Sequence, residues 1–502
     1  MEQAVIPDQS RSEMKCLFSK INSPDRSQLP VHVNFFEPLC LCVKSFLVAF
    51  ALLRLCASRC SLSVSRLTGA VCAAALLWPV LSRAQAVPPE DPKPIIQNPK
   101  PDTPSVRVAI VGGDVWTVTN GVIRGGTVLI KDGKIEQVGG ADLRPAPDAT
   151  IVDAHGLAVV PGFIVASARV TSPPTGGKFK DSLDPFALAI ELAAASGVTT
   201  TYLSGTDNGL GTSNAVLKMT RGDLTAMLAA EGASSNFSSG GGRFARASGL
   251  SARWSLRDQL RRGKEYLEKL AVFEADKKAG RKTTEPKKPA DADPVLPLLK
   301  KARPVRITAT TVGEIRWALS LVDEFGVREV ISPATEAWII ADEIAKRNAL
   351  LIITARDRDE PDERRNAASG ANADAAGILQ KAGVKFAVVP SDNSFSVGGE
   401  LGRDLLNYPL EAAFAMRGGA DAQTALESIT LTPAKILGME KRIGSLEPGK
   451  DADILLMSGE PLDYRSFVEK TFINGKLYYD RSKSTFFDRI HAQKGVPTAP
   501  AP

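Results

Sequence analysis

The sequence predicts an α/β fold in which β-rich segments precede and follow a long run of alternating strands and helices. Three observations predict it. Val106–Val160 reads as short β-rich strands separated by turn residues. From Pro161 strands alternate with helices, the signature of a parallel sheet. After Gly438 strand patterns return, with an Asn-Gly reversal inside Phe472–Tyr478. A chain of 502 residues, 44% apolar and 24% charged, is long enough to bury one large core beside a smaller one.

The net charge of +6 comes from 62 Lys/Arg against 56 Asp/Glu, of which 9 and 5 lie in the first 86 residues. The remainder therefore carries only +2, which leaves no electrostatic footprint for a nucleic-acid partner. Residues 1–86 read as a leader. Arg66 precedes the apolar run Leu67–Leu81, and Ala84-Gln85-Ala86 supplies a small-residue cleavage signature. The expected location is thus exported, periplasmic or extracellular, after cleavage near Ala86. The run is too short for a spanning helix to be favoured, although a membrane-anchored leader is the alternative. Residues 1–60 hold a second apolar run, Phe46–Leu55, and no domain pattern, which places the expected start near Val64. All six cysteines and His32 fall in this leader. A mature chain would keep only His155 and His491 and would have no thiolate or disulfide chemistry.

In chain order, residues 87–104 are a Pro-rich spacer. Residues 105–160 carry strands at Val106–Val111, Val115–Val118, Gly126–Lys131, Lys134–Val138 and Ala158–Val160, with an Asp132-Gly133 hairpin. His155 reads as a turn residue. Residues 161–438 form the strand–helix unit. Asp184–Ser196 is helical, Gly197–Thr201 opens a strand, and Ser204–Asn214 is a Gly/Asn-rich loop without the order of a phosphate cradle. Lys218 reads as a structural lysine. Ser234–Gly249 reads as a flexible loop, Trp254–Ala275 as an amphipathic helix, and Asp276–Asp293 as a solvated connection. Val305–Thr310 is a strand before the helix Val312–Phe325. Lys385–Asn393 is the last strand of this unit, and Ala425–Gly438 is helical. Residues 439–482 return to strands, and 483–502 form a tail.

The stretch VVPGFIVASARV, Val159–Val170, resembles the strand that opens the barrel of the metal-dependent amidohydrolases, the imidazolonepropionase-like members in particular. Val159, Val160, Pro161, Gly162, Phe163, Ile164 and Ala166 follow the family pattern. The run GSLEPGKDADI, Gly444–Ile454, is the most specific match. The resemblance covers approximately Ser105–Asp480. The resemblance implies a TIM-like (β/α)8 barrel with a small β-sandwich built from segments before and after it. It also implies hydrolysis of C–N bonds with zinc or another divalent metal.

The ligands depart from that pattern. Val165 stands where the family has Asp, and Ser167 and Arg169 stand in its His-x-His. Thr308 and Thr310 occupy a second His pair, and Pro333 stands in the His before Thr335-Glu336-Ala337. Residues two apart on a strand face one way, so His-x-His can chelate, whereas Ser-x-Arg keeps the geometry and loses the ligation. Arg donates only. At about 4 Å it would repel a divalent cation by roughly 8 kcal/mol at an effective dielectric near 20.

The expectation is a degenerate amidohydrolase with no metal cofactor, in a binding or partner-subunit role. Ser167, Arg169, Thr308 and Thr310 would line a site for a small polar or anionic molecule, and Arg169 would pair with Asp392. A homo- or hetero-oligomer with an active homologue is the expected assembly. Asp392, retained where the family has its last active-site Asp, is the candidate catalytic residue of the alternative. That alternative is a metal-free hydrolase of C–N bonds using Asp392 as general base.

Overall fold

The computed structural model describes residues 105–171, 179–205, 210–211, 213–238, 245–360, 367–395 and 404–484. The expected leader with its cysteines, the Pro-rich spacer 87–104 and His491 lie outside the described residues. Among the described residues no helix is long and apolar enough to cross a membrane.

The first strands are β1 (Arg107–Trp116), β2 (Val122–Lys131), β3 (Lys134–Gly139), β4 (Thr150–Asp153) and β5 (Ala158–Pro161). The β2–β3 reversal uses Asp132 at φ 50 and Gly133 at φ 80, the paired positive angles for which Asp-Gly is suited. Next come β6 (Phe163–Val165), α1 (Leu188–Ala195) and β7 (Val198–Ser204), with β7 parallel to β6. The chain then turns back through β8 (Leu210–Gly211), β9 (Asn214–Lys218) and β10 (Leu228–Glu231), β9 running antiparallel to both β7 and β10.

From β11 (Ser235–Phe237) the alternation is regular. It continues through α2 (Ala245–Lys278), β12 (Val305–Thr308), α3 (Val312–Phe325), β13 (Glu329–Ser332), α4 (Ala341–Ala345), β14 (Leu350–Ile353), α5 (Ala375–Lys381) and β15 (Phe386–Val388). Helices α6 (Pro409–Arg417), α7 (Ala422–Ser428) and α8 (Leu431–Ile436) lead to β16 (Ile454–Met457), β17 (Val468–Ile473) and β18 (Lys476–Asp480).

Three sheets result. The first and last strands share an eight-stranded sheet, β18-β17-β16-β5-β1-β2-β3 with β4 on β1. Its join is the antiparallel pair of β5 and β16, Ala158 opposite Met457 and Pro161 opposite Ile454. Ile110, Val128, Ile130, Ile454, Leu456 and Phe472 form its own core. The seven parallel strands divide between the sheet β10-β9-β7-β6 and the sheet β15-β14-β13-β12-β11-β8. Neither sheet is closed, so the described residues show seven parallel strands where the expected barrel has eight.

Side chains and single backbone bonds bridge the two seams. The Tyr408 hydroxyl lies 3.1 Å from the Ile164 carbonyl of β6 and 2.8 Å from the Val388 carbonyl of β15. At the other seam the Tyr202 hydroxyl of β7 donates to Asn236 Oδ1 of β11 at 2.6 Å.

Two expectations are corrected. Ser234–Gly249 is not one loop. Ser235 pairs in register with Val305, Phe237 is buried with its ring 5.5 Å from that of Trp317, and α2 already begins at Ala245. The long helix is therefore nine residues longer at its start than Trp254 suggested. Helix α3, by contrast, spans the expected residues. Thr311 and Glu314 form a reciprocal capping box and Gly326 ends the helix at φ 65.

Gly162 shows why Pro-Gly precedes β6. A Cβ at this position would lie 2.1 Å from the Thr199 hydroxyl of β7. The two strands meet there at a separation only glycine permits.

The GKDAD segment is tied to the parallel unit by Lys218. This lysine on β9 is fully buried and donates to Asp451 at 2.7 Å, to Asp453 at 3.1 Å and to the Asn474 side chain. Lys134 and Arg442 also pair with Asp451. Burial alone would raise the Asp451 pKa, but these three cations outweigh it and hold the carboxylate below its ordinary value. Asp453 lies deeper. Burial raises its pKa and Lys218 offsets only part of that. The lysine is structural, as its sequence context suggested.

Candidate site at the strand ends

In a parallel α/β unit the C-terminal ends of the strands carry the chemistry. Here those ends are Ala166–Arg169 after β6, Thr308–Thr310 at β12, Ser332–Glu336 at β13, Arg356 and Asp357 after β14, and Ser391–Ser394 after β15. The structure brings some of the expected residues together and leaves others apart.

Ser167 and Arg169 meet the segment after β15. The Arg169 N–H donates to the Asn393 carbonyl at 2.7 Å, and Arg169 bridges Ser394 in parallel register. Asn393 Nδ2 lies 3.5 Å from the Ser167 hydroxyl, at the outer limit of a hydrogen bond. The expected ion pair between Arg169 and Asp392 is a correction, because none forms. The Arg169 side chain is exposed. Asp392 is half-buried and its Oδ1 accepts the Ser394 N–H at 3.0 Å and the Ser394 hydroxyl at 2.7 Å. That is an Asx turn, which orients the carboxylate along its own chain.

Thr308 and Thr310 are exposed. Thr310 acts through its backbone, its N–H donating to Glu314 Oε2 at 2.9 Å and its carbonyl accepting from the Glu336 N–H at 3.0 Å. Ser332 and Pro333 are joined by a cis peptide bond. Glu336, from the retained Thr-Glu-Ala, is buried and structural. Its carboxylate accepts the Val312 N–H at 2.8 Å, at the start of α3, and the Gly370 N–H at 3.0 Å. Arg356 pairs with the fully buried Glu411 of α6 and stacks 5.2 Å from the Phe414 ring. Asp357 accepts the Ser391 hydroxyl at 2.8 Å.

The donor set does not fit a divalent metal. The positions expected to hold it offer hydroxyls, one guanidinium and one proline, and no imidazole or thiolate. Among the described residues no three His, Cys, Asp or Glu side chains are grouped to coordinate one. His155 is 74% exposed and its Nδ1 sits 2.5 Å from Asp153, in the turn before β5.

Sequence reasoning missed Arg306. It stands two residues before Thr308 on β12, and its Nη1 donates to the Ala166 carbonyl at 2.7 Å. A polar residue alternating with buried Val305 and Ile307 was the available signal.

A sequence profile of the amidohydrolase family matches residues 330–478. An amidohydrolase, tasK, of Hapsidospora irregularis is 34% identical over 96 residues, 18% of this chain and 10% of that protein. The imidazolonepropionase of Thermoplasma volcanium is 35% identical over 89 residues, 16% of this chain and 22% of that protein. The chain thus matches only about a tenth to a fifth of the length of these two relatives. Among solved structures, an amidohydrolase from Thermotoga maritima superposes with a TM-score of 0.60 at 27% identity, covering 74% of this chain and all of that one. The likeness makes the seven parallel strands those of a TIM-like barrel with unclosed sheets. The profile match covers β13–β18 and the structural match extends beyond it, so this chain is similar to proteins of the amidohydrolase family.

Proposed function

We propose that this protein is an amidohydrolase-fold binding protein that has lost metal-dependent hydrolysis and takes a small polar or anionic molecule. One observation carries the reading: Ser167, Arg169, Thr308, Thr310 and Pro333 stand where the resemblance places imidazole ligands. In this reading the eight-stranded terminal sheet is the small β-sandwich beside the barrel. The protein is exported after cleavage near Ala86, and it assembles with itself or with an active homologue. Metal analysis of the purified protein tests the reading. Substoichiometric zinc, manganese and iron are expected, and one tightly bound ion per chain would overturn it.

A second reading keeps an activity. Asp392 follows β15 at the functional end of a parallel strand. Acting as general base it would take a proton from water. The hydroxide would add to an amide carbonyl, and the C–N bond would break as the nitrogen leaves with a proton. Arg169, Thr308 and Thr310 would position the substrate. The Asx turn already engaging Asp392 favours the first reading. A panel of cyclic amides and dipeptides, with Asp392→Asn as control, separates the two: turnover abolished by that substitution supports catalysis, and turnover that survives it excludes this base.

A further inference from the structure

Arg306 crosses the barrel interior. Its neighbours on β12, Val305 and Ile307, are buried in the main core, while Arg306 and Thr308 share the opposite face. From there Arg306 reaches strands that are not its own neighbours. Nη1 donates to the Ala166 carbonyl after β6 at 2.7 Å, and the guanidinium lies 4.6 Å from the centre of the Tyr202 ring on β7. Strands β6 and β7 belong to the other sheet, so the side chain spans the lumen beneath the strand ends.

Two features set this residue apart from the other interior polar groups. No carboxylate accompanies it among the described residues; its partners are one carbonyl and one ring face. Burial of this kind disfavours the charged form, and it pushes the guanidinium pKa below its ordinary value, with Tyr202 acting in the opposite direction. In addition the residue is only half-buried by direct exposure. Protein surrounds the charge without covering the whole side chain. Beside it the Tyr202 hydroxyl, Ser234 and Asn236 form a closed hydrogen-bonded group at 2.6–3.0 Å, which fixes the ring under the guanidinium.

We propose that Arg306 anchors the carboxylate of a small ligand in the barrel lumen. The planar fork of a guanidinium matches the two oxygens of a carboxylate. Tyr202 on one side and the Ala166 carbonyl on another hold the fork in place before the ligand arrives. The anion therefore sits inside the barrel, and exposed Arg169 stands at the rim. This rests on the metal-free reading above and names the ligand class for it.

Thermal unfolding of the full chain tests the site, with acetate as a probe small enough to enter. Melting is followed in sodium chloride, acetate and phosphate at equal ionic strength and fixed pH, for wild type, Arg306→Gln, Arg306→Lys and the surface control Arg465→Ala. The wild-type-minus-variant difference removes the general stabilisation that salts give any protein. Acetate is expected to raise the wild-type Tm saturably above chloride, with Arg465→Ala responding equally. Arg306→Gln should lose at least tenfold in apparent acetate affinity, and Arg306→Lys, which keeps the charge without the fork, should lose part of it. Arg306→Gln also removes an unpaired interior cation, so its Tm in chloride should be no lower than wild type. If it fails to fold, Arg306→Lys carries the test. Acetate no better than chloride, or an acetate response unchanged in both Arg306 variants, overturns the proposal. An Arg306-dependent response larger for phosphate than for acetate overturns the carboxylate assignment. Metal analysis separates the two readings. A metal ion in every chain, with the acetate response lost on chelation, sinks the metal-free function, whereas metal-free protein without an acetate response sinks this site alone.

Discussion

Glu329 carries the clearest consequence of a single residue. It opens β13 opposite Val305, is 5% exposed, and neither carboxylate oxygen has a hydrogen-bond partner. Burial pushes its pKa up to about 8, only partly offset by Arg347. In the unfolded chain the group ionises near 4.5. Between those values the native state holds a proton that the unfolded state has released, so stability falls as pH rises through this window and levels off above it. The slope is up to about 1.4 kcal/mol per pH unit for one such group. Glu329→Gln is expected to flatten the loss and to make the protein more stable than wild type at pH 9, measured by urea unfolding at several pH values. An unchanged pH profile would show that Glu329 is ionised in the native state.

Among the elements, α3 is the one whose limits were most legible in the sequence. Thr311, Glu314 and Gly326 state its start and stop in local chemistry, and tertiary contact did not override them. The capping box does a second job, since Thr310 and Thr311 both donate to the Glu314 carboxylate, which also pairs with Arg253 of α2. Thr311→Ala is expected to destabilise the protein by about 1 kcal/mol without altering acetate binding, read as a lower unfolding midpoint. Elements defined by non-local pairing were harder to read. Strand β11 lies in a Ser/Gly-rich stretch and exists because Val305 and Arg306 supply its ladder. Strands β8 and β9 run antiparallel to β11 and β7, and β8 lies in the stretch Ser204–Asn214 that read as a Gly/Asn-rich loop. Arg306 was missed for a related reason: its alternation with Val305 and Ile307 marks its face, but nothing local names Ala166 and Tyr202 as what that face meets.

Across the whole molecule, Lys218 joins the strand–helix unit to the sheet built from the two chain ends. It stands 233 residues from Asp451 in sequence and 2.7 Å from it in space. The terminal match was legible because GKDADI has a fixed local form; its partner was not, because nothing local to Lys218 names Asp451. Lys218→Ala would leave buried Asp453 without its cation, while Asp451 keeps Lys134 and Arg442, and roughly 3–5 kcal/mol of stability is expected to be lost. Adding Asp453→Asn should recover part of that loss, and a double-mutant cycle by chemical denaturation measures the coupling. Additive effects would show that the pair does not interact.

The β5–β16 pairing also sets when the chain can finish folding. During synthesis β5 emerges well before β16, the strand that covers its edge. Until then the edge stays bare, with its β-branched residues open to wrong partners. Closing a loop as long as the one between Lys218 and Asp451 costs roughly 5 kcal/mol of chain entropy, recovered only once the final sheet forms. Completion of this sheet therefore waits until β16, β17 and β18 have been made.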